Sequence, residues 1–290
     1  MSEIWEVNNE EYHAERMHDS SSTLKVARKS LQLYEALYVT GTVERSGSSP
    51  EMLFGSAFHC ALLEPDEFDS RYFYEPEETP DGEPINRRLK AHREFLEEVL
   101  QRNEGREMLQ AGDKERIEGM LASVGSFKDA SDRLKTGQPE LGIKFEIDGH
   151  PLKALMDWSC PDQNIILDVK TTRHSGGIDV FRREIDNREY HCQAALYAEA
   201  YRQVYGRVPE FYWLFVHTAA PYETYLFKMG KATRKIGLEI TRDTIETLKI
   251  AKSIGRYKPF THGVYSDIEL PTWTLRKHSM ENEVSEAFTS

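Results

Sequence analysis

Leu155-Met156-Asp157-Trp158 and, after a polar turn, Ile165-Ile166-Leu167-Asp168-Val169-Lys170-Thr171-Thr172 are the two stretches that decide how this chain is read. Each is a short run of strand-like composition that leads into ionisable side chains. Successive residues of a strand point to opposite faces, so Asp168 and Lys170 project together, beside whatever Asp157 presents from the adjoining strand. A carboxylate and an ammonium ending a buried run need a partner, a cation or solvent to offset their desolvation. Two explanations stand open at this point: a strand-end ion pair with no further role, or a reactive centre. Two carboxylates beside a lysine suit phosphodiester hydrolysis. The carboxylates would hold Mg2+ or Mn2+, which polarises the phosphate and lowers the pKa of an attacking water, while the lysine orients that water and stabilises developing charge.

Outward from these stretches, the alternation of apolar residues predicts strands over 140–147, 151–158 and 165–171, with an Asp148-Gly149 turn joining the first two. Residues 177–206 read as one long helix ending at Gly206. Strands over 210–217 and 222–229 and a helix over 231–254 follow, the last with Ile236, Ile240, Ile245, Leu248 and Ile250 at helical spacing. Before residue 137 the pattern is helical. Ser20 to Thr23 offer N-caps to a helix carrying Leu24, Ala27, Leu31, Tyr34 and Tyr38, and a second helix over 51–63 carries His59 and stops at Pro65. Further helices are predicted near 86–102, 105–111, 113–123 and 126–135. The expected organisation is a loose segment over 1–20, one domain over 21–275 with a helical part to 136 and an α/β core from 137, and a flexible tail over 276–290.

Composition narrows the class of protein. The chain has 290 residues, 39% of them hydrophobic, too many for a disordered protein. Mean hydropathy is −0.62, and no run approaches the length of a membrane span. The first residues resemble neither a secretory signal nor a transit peptide, so a cytoplasmic location and no membrane partner are expected. Cys60, Cys160 and Cys192 are spaced like neither a disulfide framework nor a zinc site. The formal net charge is −12, a poor footing for nonspecific nucleic-acid binding. The charge is uneven, however. Residues 64–84 hold nine acids against one Arg, and residues 222–262 hold nine Lys and Arg against four acids, so a basic surface on an acidic molecule is compatible with the sum.

The spacing Asp157, ten residues, Asp168-Val169-Lys170 resembles the PD-(D/E)XK nuclease core, whose αβββαβ order, a central mixed sheet flanked by helices, matches the α/β order read above. Four more segments, SSTLKVARKS at 21–30, GSAFHCALLEPDEF at 55–68, YHCQAALYAEAY at 190–201 and ELPTW at 269–273, are similar to the RecE (exonuclease VIII) type of exodeoxyribonuclease, in the same order. The resemblance spans about residues 20–275 and implies a Mg2+- or Mn2+-dependent enzyme, with one or two ions per site. Such an enzyme digests linear double-stranded DNA from 5′ to 3′ to 5′-phosphomonoesters. It leaves 3′ tails for recombination with a RecT-type single-strand annealing partner, and it assembles as a tetrameric ring.

Residue by residue, the resemblance assigns His59, Asp157, Asp168 and the Val169 carbonyl as metal ligands and Lys170 as the catalytic lysine. Gln193 and Tyr197 match a Gln-x-x-x-Tyr pair bordering the site; one helical turn apart, they are equally readable as a core pair. Glu140 resembles an acidic residue supporting a second metal, with Glu146 competing for that assignment. Where the family commonly carries Arg-Pro before its first Asp, this chain has Leu155-Met156. Lys153, on the same strand face as Asp157 by alternation, is a candidate phosphate contact, as are Lys25 and Arg28 with Lys29; a solvated helix face is the other account of these last three. An endonuclease of the same fold, a silent DNA-binding or assembly module and a sugar hydrolase using paired carboxylates remain as rival readings.

Overall fold

The structure is a computed structural model and describes residues 2–44, 47, 49–258 and 272. The ELPTW motif as a whole and the expected tail over 276–290 lie outside the described residues. In chain order the elements are β1 (Glu3–Trp5), α1 (Asn9–Ala14), α2 (Ser21–Lys29), α3 (Leu31–Tyr34), α4 (Pro50–Leu63), α5 (Phe68–Arg71), β2 (Tyr72–Tyr74), α6 (Lys90–Arg102), β3 (Glu107–Leu109), α7 (Asp113–Ser126) and α8 (Lys128–Arg133). Then come β4 (Gln138–Ile147), β5 (His150–Cys160), β6 (Ile165–Thr172), α9 (Ile178–Asn187), α10 (Tyr190–Tyr205), β7 (Glu210–His217), β8 (Thr224–Lys228) and α11 (Lys231–Ile254).

The described residues form a six-stranded mixed sheet in the order β1-β4-β5-β6-β7-β8. Within this sheet only β6 and β7 run parallel, Asp168 beside Trp213 and Lys170 beside Phe215; the parallel pair requires the crossover that α9 and α10 provide. The β4–β5 hairpin turns at Asp148 and Gly149, with φ of 52° and 75°, the left-handed pair that a tight hairpin needs. Alternation along β6 sends Ile166 into a core beneath α2 and α10 with Phe145, Tyr201 and Phe215, and sends Leu167 and Val169 into a second core beneath α4 and α7 with Phe58, Ile117 and Met120. The sheet is therefore covered on both faces by helices, the expected fold class.

Several elements differ from expectation. The first 20 residues are ordered: β1 pairs with β4 through Ile4 and Ile143, a capping box of Asn8 and Glu11 starts α1, and Lys153 and Leu152 hold the segment near Asp19 against β5. The stretch 105–111 contains a strand, β3, parallel to β2, rather than a helix. The helix from Ser21 is interrupted at Ser30, which turns extended, and resumes as α3 with a wider π-type turn at Glu35–Val39. The single helix expected over 177–206 is two, separated at Arg188 and Glu189. On α11, Ile236 and Ile250 are about half exposed, and the buried stripe is Gly237, Thr241, Thr244, Ile245, Leu248 and Ala251. The small residues on that stripe bring α11 so close to α10 that a Cβ at Gly237 would stand 2.3 Å from the His191 carbonyl oxygen.

Candidate active site

The site lies where the sheet forks. β5 and β6 pair at only three positions, Cys160 with Ile165, Ser159 with Ile166 and Trp158 with Leu167. One step further along this register Asp157 faces Asp168, and there the ladder gives way: the Val169 N–H donates to the Asp157 side chain, Oδ2, at 2.8 Å. The strand alternation also breaks at this point. Met156 packs in one core and Trp158, two residues on, in the other, while Glu140, opposite Asp157 on β4, takes φ of 49°. The space opened between the strands receives the charged side chains.

Asp168 is fully buried, and Lys170 Nζ stands 2.7 Å from its Oδ2 as an ion pair. Neither Asp168 oxygen makes a hydrogen bond of good geometry. Burial, only partly offset by Lys170, pushes its carboxyl up to about 6, with Asp157 adding to the rise. Burial also raises the Asp157 carboxyl, against the pull of Lys170 and of the Val169 N–H. The Lys170 ammonium, although burial disfavours it, is held above its usual pKa by the two carboxylates. His59 reaches in from α4, its Nδ1 3.7 Å from Asp157 Oδ2. Burial and the nearby Lys170 charge keep the imidazole below its usual pKa, while Asp168 and the Val169 backbone pull the other way.

The structure thus brings His59, Asp157, Asp168, Val169 and Lys170 to one place. Gln193 and Tyr197 border it from α10: Gln193 Nε2 donates to the Tyr197 hydroxyl at 3.2 Å, and burial with the neighbouring Tyr12, Asp157 and Asp168 lifts the Tyr197 hydroxyl well above its usual pKa. Of the two acids weighed on β4, Glu140 occupies the position opposite Asp157, whereas Glu146 pairs with Pro151 near the hairpin turn. The charge of Glu140 is felt at Cys60, Arg71 and Tyr72.

Three cations expected at a phosphate are engaged elsewhere. Lys153 is 4% exposed, donates to the carbonyls of Tyr12 and Glu15 at 2.6 and 2.5 Å, and pairs with the Glu15 carboxylate. Strand alternation, which would put it beside Asp157, is broken at Asp157, where Met156 and Trp158 enter different cores. Lys25 donates to the Arg188 carbonyl at 2.6 Å, and Arg28 binds Glu189 Oε2 through Nε at 3.2 Å and NH2 at 2.8 Å. Tyr190 went unnoticed in the sequence: its ring centroid lies 5.1 Å from Lys170 Nζ. The signal available for it was its place at the head of the YHCQ segment.

A mixed sheet covered by helices, with two aspartates and a lysine at a fork between its central strands, has a PD-(D/E)XK-type fold. The family model for the PDDEXK-like domain of unknown function (DUF3799) matches residues 20–260, and the chain belongs to that family. Among solved structures, a candidate exonuclease from Eubacterium rectale is 16% identical, with a TM-score of 0.61 over 91% of this chain and 97% of that one, a likeness of fold. The structure of SSO0001, 14% identical over 69% of this chain and 87% of that one, has a TM-score of 0.28, too low to inform the fold. No curated protein matches the sequence.

Proteins of this fold typically use divalent metals. Among the described residues no three His, Cys, Asp or Glu side chains are grouped so that they could hold a metal ion as they stand. The Asp168 oxygens, shut from water and short of hydrogen bonds, are the feature that a cation would relieve. Two carboxylates and a backbone carbonyl are hard oxygen donors suited to Mg2+, and an imidazole beside them suits Mn2+. The donor set fits. No helix among the described residues is long and apolar enough to cross a membrane.

Proposed function

We propose that this protein is a divalent-metal-dependent exodeoxyribonuclease that digests the 5′-ended strand of linear duplex DNA and leaves 3′ single-stranded tails for annealing. The observation that carries the reading is the buried Asp168–Lys170 pair at the fork, with Asp157 on the neighbouring strand. Asp157, Asp168, the Val169 carbonyl and His59 would hold the ion. A bound Mg2+ or Mn2+ supplies charge to polarise a phosphoryl oxygen and to acidify an attacking water. Lys170, fixed by Asp168, presents its remaining N–H donors to the charge that develops on the phosphate. Gln193 and Tyr197 orient groups at the rim. Digestion from an end, rather than internal cutting, is favoured by the RecE-like segments and by the likeness to the Eubacterium rectale candidate exonuclease. The same segments support a ring of subunits and a RecT-type annealing partner.

The test is nucleotide release from linear duplex DNA with Mg2+ or Mn2+, with closed circular DNA as control and with Asp168→Ala and Lys170→Ala as variants. Digestion of linear DNA alone, lost in both variants and with chelator, is expected. Equal cutting of circles would replace the exonuclease with an endonuclease, and no cleavage of either DNA would overturn the nuclease.

A further inference from the structure

The break between α9 and α10 has no cause in its own sequence. Residues 187–191 read Asn-Arg-Glu-Tyr-His, with neither Gly nor Pro, and Glu189 sits at φ of 56°, the left-handed region that disfavours residues with a Cβ. The clamp comes from α2. Arg28 binds the Glu189 carboxylate through two nitrogens, and Lys25 takes the Arg188 carbonyl, so both residues of the elbow are fixed by cations 160 positions or more away in sequence. What the elbow delivers is Tyr190, the first residue of α10. Its ring is backed by Phe215, centroids 6.2 Å apart, and lies 5.1 Å from Lys170 Nζ. The ammonium is thus flanked by the Asp168 carboxylate at 2.7 Å and by the Tyr190 ring, on a side chain that is 14% exposed. A lysine carries four rotatable bonds, and one ion pair leaves much of that freedom. A ring within about 6 Å restricts it further, more strongly where water is excluded.

We propose that Tyr190 is a positioning residue, whose ring fixes the Lys170 ammonium over the Asp168 carboxylate, and that Lys25 and Arg28 serve by clamping the elbow that holds the ring in place. The consequence for turnover rests on the nuclease reading; the placement of Lys170 does not. The ring, not the hydroxyl, is the working part, so Tyr190→Phe and Tyr190→Leu separate the two.

The experiment uses the full chain. On linear duplex DNA with Mg2+, Tyr190→Leu lowers kcat roughly 2- to 30-fold with little change in KM, and Tyr190→Phe restores most of the loss. Independently of activity, protein labelled with 13C at the lysine ε carbon gives a Lys170 resonance, identified by its absence from Lys170→Arg. Ring current moves the attached protons upfield of the other lysines in the parent and in Tyr190→Phe, and they return to the common position in Tyr190→Leu. A Lys170 resonance at the common position in the parent overturns the proposal, as does a kcat in Tyr190→Leu equal to that of an active parent. If the parent cleaves no DNA while the shift is present and depends on the ring, the nuclease reading falls and the placement of Lys170 by Tyr190 stands.

Discussion

Replacing Asp168 with Asn tests whether the site is held at the expense of stability. The parent carboxyl is pushed up to about 6 from an ordinary 3.8, a net of burial against the attraction of Lys170. That rise corresponds to about 3 kcal/mol against the ionised form in the folded protein. Because the folded value lies above the unfolded one, this residue favours folding most below pH 3.8, and the contribution is lost as pH rises through about 6. Asparagine has no charge to desolvate, but its buried amide donors lack acceptors, which costs about 1 kcal/mol. In chelator near pH 7.5 the variant is therefore expected to be about 2 kcal/mol more stable than the parent, and near pH 3 about 1 kcal/mol less stable, so the two curves cross. Urea unfolding followed by tryptophan fluorescence across this range measures the crossing. Saturating Mn2+ then stabilises the parent alone, by about 2.7 kcal/mol at one hundred times Kd, and erases the advantage of the variant. A variant less stable than the parent near pH 7.5 in chelator would refute the reasoning, because the Asp168–Lys170 pair would then be a net support of the fold.

Two further expectations concern the frame. Lys153→Met strips the carbonyls of Tyr12 and Glu15 and the Glu15 carboxylate of a buried cation, and it should lower stability by about 3–5 kcal/mol while leaving DNA affinity unchanged; a loss of affinity at unchanged stability would return Lys153 to the phosphate. Gly237→Ala gains about 1 kcal/mol of helix propensity. Its new Cβ would meet the His191 carbonyl oxygen at 2.3 Å and Ala195 Cβ at 2.9 Å, and overpacking of about 1–3 kcal/mol outweighs the gain, so thermal unfolding should come earlier; a raised Tm would show that α10 and α11 part freely.

The strands of the core were legible because each carries its own local signal: alternation through 140–147 and 151–158, an Asp-Gly turn between them, and two charged residues two apart at the end of an apolar run. The helical break at Glu189 was not legible, because apolar spacing continues on both sides of it and its clamp comes from α2. β3 is three residues long and gains its partner, β2, from 35 positions earlier, so local propensity had nothing to read. The order of the N-terminal segment was hidden for a similar reason, since it depends on a lysine more than 130 residues downstream. On α11 the spacing of apolar residues found Ile245 and Leu248 but added Ile236 and Ile250, which are half exposed: the rest of the packed face is set by what α10 allows near Gly237, and small residues carry little hydrophobic signal.

The same division runs through the site. Asp157, Asp168 and Lys170 could be found because period two is a rule of the strand, and Lys153 was misplaced because the rule fails at Asp157, where the ladder opens. That failure is what makes a site. In an intact ladder the Val169 N–H would belong to the neighbouring strand; at the fork it is free to donate to the Asp157 carboxylate, and its carbonyl side is free to face His59. A backbone that stops pairing with itself leaves donors, acceptors and room in the middle of a sheet, where both faces exclude water. Charged groups gathered there act on one another through little solvent, which raises the Asp157 and Asp168 carboxyls and tightens the hold on Lys170 together. The sequence names the charged residues, but the place where the ladder ends decides which of them meet.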